Sequence, residues 1–118
     1  MAYDLVDNSG SDHQGGVIRN NFVYLHPGLM SAGRKARSDG QIVVWGSPTT
    51  KGYCNTTLTN GNVMKSIEFR FSSSGAEARN NLANAPIDTR DGASFSPSRH
   101  LLTATASLFV NPALQGCI

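Results

Sequence analysis

The chain has 118 residues, enough for one domain, and carries ten Lys and Arg against eight Asp and Glu, a net charge of +2 with only 15% charged residues. That balance excludes a strongly electrostatic partner such as nucleic acid. No window of helical length keeps an apolar i, i+3, i+4 pattern, whereas short β-rich runs separated by Gly, Asn, Ser and Thr predict an all-β protein.

The opening MAYDLVDNSG has neither the basic nor the apolar region of a signal peptide. No stretch is long and apolar enough to span a bilayer, so a membrane partner is not expected. Residues 1–14 read as an irregular lead in which only Tyr3–Asp7 has strand character. Asp7, Asp12 and His13 lie in the turn-rich NSGSDHQGG and need no role beyond turn chemistry.

The first clear strand, IRNNFVY, is interrupted by the amides Asn20 and Asn21. His26, before Pro27, belongs to a connection, and Arg34, Lys35 and Arg37 in GRKARS read as a solvated loop. QIVVWGS, SIEFRFS and PIDTRDG then align on Ile42, Ile67 and Ile87. Thirteen residues after each stand Asn55, Asn80 and His100, and Asn20 precedes them in a similar setting. Two landmarks that keep one offset mark an internal repeat: strand, turn, second strand carrying the Asn, then a connection of variable length.

Units of this size suit stacked parallel coils, with about four coils over residues 15–110 and a frayed tail over 111–118. Stacking places equivalent positions directly above one another. Asn tolerates the left-handed conformation of a sharp corner, and its amide both donates and accepts. An asparagine ladder through Asn20, Asn55 and Asn80, ending at His100, is therefore expected. It also discounts the N-x-[ST] pattern at Asn55, which falls inside a coil. Cys54 is expected to be buried or half-buried, and Cys117 lies in the tail.

GGVIRNNFVY, GQIVVWGSPTTKGYCNTTLTNG, SIEFRF…GAEARNNLANAPIDTRDGA and ATASLFVNPA resemble the last coils of right-handed parallel β-helix proteins, the pectate-lyase-like solenoids. The resemblance covers roughly Gly15 to Ala113. It implies an all-β solenoid, a fragment of a longer one, within a larger extracellular or cell-surface precursor. Its partners would be upstream coils of the same protein or further copies of this chain.

Strand alternation assigns the faces. Ile42, Val44, Ile67, Phe69, Phe71, Ile87 and Thr89 point inward. Outside run two rows, Val43, Glu68, Asp88 and Trp45, Arg70, Arg90. An apolar Trp face beside guanidinium forks and carboxylates suits an acidic oligo- or polysaccharide, so Trp45, Arg70, Arg90, Glu68 and Asp88 are the candidate binding residues. The competing reading is a set of surface ion pairs, Glu68 with Arg90 or Asp88 with Arg70, and a Trp45 covered by the SAGRKARSDG loop. Arg70 or Arg90 as a catalytic base follows from the resemblance alone. Three carboxylates, Glu68, Asp88 and Asp91, are too spread for a Ca²⁺ site, so neither cofactor nor metal is expected. The sequence thus points to a non-catalytic β-helix segment with carbohydrate binding on an exterior strand face. The alternative is the C-terminal part of a polysaccharide lyase or glycoside hydrolase whose catalytic coils lie elsewhere. An uncapped first coil would leave a core edge near Val17, Ile18 and Ile42 open to association.

Overall fold

A computed structural model describes residues 13–71 and 73–109. Tyr3–Asp7, Asp7, Asp12 and Cys117 lie outside the described residues, as does the 111–118 tail. The chain forms strands β1 (Val17–Arg19), β2 (Phe22–Tyr24), β3 (Gly40–Trp45), β4 (Lys51–Tyr53), β5 (Thr56–Leu58), β6 (Lys65–Arg70), β7 (Ala76–Arg79), β8 (Leu82–Ala83), β9 (Ile87–Arg90) and β10 (Phe95–Ser98). The described helical content is a single α-turn, α1 (Ala32–Lys35), and a 3-10 turn over Ala106–Leu108. The basic GRKARS stretch therefore contains one helical turn, capped by Ser31, with Arg34 and Arg37 exposed to solvent.

Strand order repeats in threes. β1, β4, β7 and β10 form a first sheet, β2, β5 and β8 a second, and β3, β6 and β9 a third. Every pairing is parallel. The protein is thus all-β, built of parallel sheets with little helix. Equivalent residues lie one strand spacing apart, about 4.8 Å, and we call each such level a layer. Leu101 bridges to Leu82, and Ala104 donates to the Ala83 carbonyl, so a fourth layer continues beyond β8.

The third sheet supplies the large core residues. Ile42, Ile67 and Ile87 stack in register, and Val44 stacks on Phe69 and Thr89. Phe69 and Ile67 are buried with Val44, Ala76 and Ala78, and Ile18, Ile42, Ile87, Ala93 and Phe95 pack around them. The facing row of the first sheet is small in the middle layers, Gly52 and Ala78, which leaves room for the Phe69 ring. Phe69 also stacks on Phe95, with centroids 5.2 Å apart. Burying an Ile or Phe side chain contributes roughly 1.5–3 kcal/mol, so these few residues supply most of the apolar burial. Gly40 opens β3 where an added Cβ would lie 2.9 Å from the Ile42 carbonyl oxygen and 3.0 Å from the Glu68 nitrogen. Only glycine fits there.

Three expectations need correction. Phe71 does not point into the core: the third-sheet strands end at equivalent left-handed residues, Gly46, Phe71 and Asp91. That turn throws the Phe71 ring onto Trp45 instead. Cys54 is exposed, because it occupies the left-handed corner itself, at φ 54°. The amide row is shifted by one residue in two layers. Asn20, Cys54, Asn80 and Arg99 are the left-handed corner residues, at φ between 53° and 57°. The residue after each, Asn21, Asn55, Asn81 and His100, forms the row.

In that row Asn21 Nδ2 donates to Asn55 Oδ1 at 2.9 Å, and Asn55 Nδ2 donates to Asn81 Oδ1 at 3.1 Å. The same oxygens accept the backbone N–H of Asn21 and Asn55. Asn55 and Asn81 also donate to the carbonyls of Ile18 and Gly52, equivalent positions one layer back. Asn81 N donates to Nδ1 of His100 at 3.3 Å, where the row ends. Paired asparagines thus divide two tasks: the first adopts the backbone conformation that costs other L-residues about 1–2 kcal/mol, and the second satisfies buried polar groups. Asn55 is fully buried, in line with the discounted glycosylation pattern.

Candidate functional site

The exterior face of the third sheet holds all five residues singled out from the sequence. Register places Val43 on Glu68 on Asp88, and Trp45 on Arg70 on Arg90, as the two rows expected. Parallel pairing brings like positions together, so Arg70 and Arg90 are direct neighbours. Like charges placed opposite one another are destabilising unless carboxylates stand beside them.

Those carboxylates are present. Glu68 faces outward from its strand yet is only 1% exposed, because long side chains close over it. Lys65 Nζ lies 2.9 Å from its Oε1, Arg90 Nε lies 3.0 Å from the same oxygen, and an Arg90 terminal nitrogen donates to Oε2 at 3.1 Å. Three charge-assisted contacts compensate a buried carboxylate that would otherwise be costly. Arg90 also pairs closely with Asp39, and Arg70 with Asp91. Asp88, the most exposed of the set, lies 3.9 Å from Lys65 Nζ and accepts the Thr89 N–H. Burial works against the charge of Arg90, but hydrogen bonds to Asp39 and Glu68 and their negative charges outweigh it and hold its pKa above the ordinary guanidinium value.

Trp45 is half-buried. The Arg70 guanidinium lies 5.1 Å from its ring centroid and 4.3 Å from that of Phe71. Phe71 meets Trp45 edge-on at 5.7 Å. Arg70 thus lies against two nearly perpendicular aromatic rings and is anchored by Asp91. Of the pairings considered from sequence, Glu68 with Arg90 is formed. Arg70 takes Asp91 rather than Asp88, because the left-handed turn after Arg90 carries Asp91 back toward the Arg70 side chain. The connection before β3 contributes through Asp39.

Sequence reasoning missed Lys65, Asp39 and Phe71 as members of this face. Lys65 had a misleading signal: strict alternation from Glu68 assigns it to the inner face with Ile67, yet its ammonium reaches Glu68 Oε1. Asp39 had none, since its reach to Arg90 depends on how the long β2–β3 connection returns. The resulting face carries three cations and four carboxylates, with the aromatic pair at one edge. It can hold the β2–β3 connection and the turn after β9 against the sheet.

A second polar cluster lies on the exterior of the first sheet. Tyr53 donates its hydroxyl to Glu77 Oε2 at 2.6 Å, and Arg79 pairs with Glu77 at 2.8 Å. The Tyr53 hydrogen bond holds the Glu77 carboxyl below its usual range, and the same bond raises the phenol. A cleft of about 310 Å³ opens beside β1 and β3, lined by His13, Gly16, Ile18, Val44, Trp45 and Ser47 among others. The hydroxyls on its floor, Ser47 and Thr50, are 2.6 Å apart, and Thr50 donates to the Gly15 carbonyl.

The chain matches no protein-family model, no curated protein sequence and no solved structure.

Proposed function

We propose that the chain is a segment of a right-handed parallel β-helix, serving as a non-catalytic scaffold within a larger secreted or surface protein. The observation that carries this reading is the recurrence of strand order in threes, with the same corner geometry in each layer and the same amide position in the first three. Handedness and the extracellular setting rest on the resemblance to pectate-lyase-like solenoids.

The exterior face of the third sheet supports scaffold over catalysis. Arg70 and Arg90, the residues that a lyase would use as base, are each clasped by carboxylates. A guanidinium held by hydrogen bonds to anions gives up its proton less readily still. Trp45 already packs against Arg70 and Phe71, so a sugar ring stacking on the face that Arg70 covers must displace it. The face is a clasp that fixes the β2–β3 connection.

Incubation with soluble acidic polysaccharides, together with retention on an immobilised one, tests the reading. The expected outcome is no cleavage, and retention that Trp45→Ala leaves unchanged. Cleavage that disappears in Arg70→Ala or Arg90→Ala overturns it in favour of a lyase or hydrolase. Retention that disappears in Trp45→Ala restores carbohydrate binding on this face.

A further inference from the structure

We infer that the fold carries a built stop at its fourth layer: Pro97 and His100 bar a further parallel layer from adding beyond β10. The inference rests on sheet register and the amide row alone, and stands whether or not the chain is a scaffold.

The direction of each backbone group follows from the bonds between layers. Asn80 N–H donates to the Ser98 carbonyl at 3.0 Å, so Ser98 faces β7. Backbone groups alternate sides along a strand, and Pro97 therefore faces away, toward the position of a next strand. Its partner in register confirms the sense. Pro97 pairs with Ala78, and Ala78 lies one residue from Glu77, whose N–H points the opposite way, to Thr50. Pro97 thus lacks its N–H at the outward edge of the first sheet, where proline leaves the existing ladder intact and deprives a newcomer of a donor. The equivalent residues of the earlier layers, Ile18, Gly52 and Ala78, all keep that N–H.

His100 closes the side-chain route. In the first two layers the side-chain and backbone N–H groups of the row residue donate to the next Oδ1, and in the third the Asn81 backbone N–H donates to His100 Nδ1. The His100 ring instead turns back: its Nδ1 accepts from Asn81, and its Nε2 lies 3.4 Å from the Ser98 nitrogen. Neither ring nitrogen is directed to a fifth layer. Two independent devices, one on the backbone and one in the row, coincide in the same layer. The opposite edge has no counterpart among the described residues: Val17, with its N–H directed away from β4, is 56% exposed.

The double variant Pro97→Ala/His100→Asn restores both features, making the fourth-layer edge complementary to the β1 edge of another copy. Such a head-to-tail contact does not close and builds an open series of oligomers. Sedimentation velocity of the full chain at matched concentrations reads this directly. The parent is expected to lack an open series, and the double variant to show one that grows with concentration. Adding Arg19→Pro, which removes an outward N–H from the β1 edge without touching a ladder bond, should abolish the series. An open series in the parent overturns the inference. So does a folded double variant with the parent's mass distribution, or a series that survives Arg19→Pro. If the double variant fails to fold, Pro97→Ser alone serves, with protection of the β10 amides against hydrogen exchange rising with concentration expected, and unchanged protection contradicting the stop.

Discussion

Polar side chains run along the stack in two places, one row at the corner between the first and second sheets and two rows outside the third. The inner row is built from a single residue type. An amide is donor and acceptor at once, so Asn21, Asn55 and Asn81 repeat without limit and each copy satisfies the next. The outer rows cannot repeat that way. Stacking Arg70 on Arg90 in register creates repulsion, which Glu68, Asp39 and Asp91 must relieve from neighbouring rows and connections. A parallel stack therefore rewards identity for amides and punishes it for charges. The inner row holds layers together, and the outer face holds connections to layers.

Breaking the inner row should cost most. Asn55→Ala removes the acceptor of two bonds and the donor of two more in a fully buried setting. It should destabilise by about 2–4 kcal/mol, read from denaturant midpoints at unchanged slope. Glu68→Ala comes next. It strips Lys65 and Arg90 of their shared buried partner, but both cations reach solvent and Arg90 keeps Asp39. A loss of about 1–2 kcal/mol follows, between the buried and exposed limits. The corner residues separate backbone from side chain: Asn80→Ala should cost about 1 kcal/mol and Asn80→Gly next to nothing.

A smaller effect comes from acid. Burial lowers the His100 pKa below its ordinary 6.5, against a hydrogen bond to the Ala78 carbonyl that raises it. The folded state therefore binds its proton less readily than the unfolded chain. This contribution is complete above the unfolded pKa and is lost as pH falls from there through the folded value. The denaturant midpoint should be flat above neutrality and decline on mild acidification, and His100→Asn should remove that decline. Arg70→Ala, finally, loses a half-exposed ion pair and its aromatic contacts, and should cost about 0–1 kcal/mol by the same measurement.

Much of this was legible in the sequence because strand alternation has a fixed period. Once Ile42, Ile67 and Ile87 were aligned, the exterior rows Val43, Glu68, Asp88 and Trp45, Arg70, Arg90 followed, and the register bears them out residue by residue. The amide row did not follow, since it lies across a connection. Nine positions separate Ile42 from Lys51 and Ile87 from Ser96, but ten separate Ile67 from Glu77. The extra residue falls in the turn before β7, which contains the left-handed Gly75. A constant offset of thirteen therefore reached Asn55 and His100 but stopped one short of Asn81. The doubled asparagines hid the error, because either member of a pair looked able to serve. The ion-pair partners of the exterior face were less legible for a different reason. Asp39 and Asp91 stand in connections, where no period fixes direction.

The residue after each left-handed corner, not the corner residue itself, carries the side-chain bonds between layers. Hydrogen exchange of the side-chain carboxamides, followed by NMR with residue assignment, tests it most directly. Protected NH₂ groups are expected at Asn55 and Asn81, which are fully buried and bonded across layers, and rapid exchange at Asn20 and Asn80, which are exposed corner residues. Protection at Asn80 with free exchange at Asn81 would contradict it.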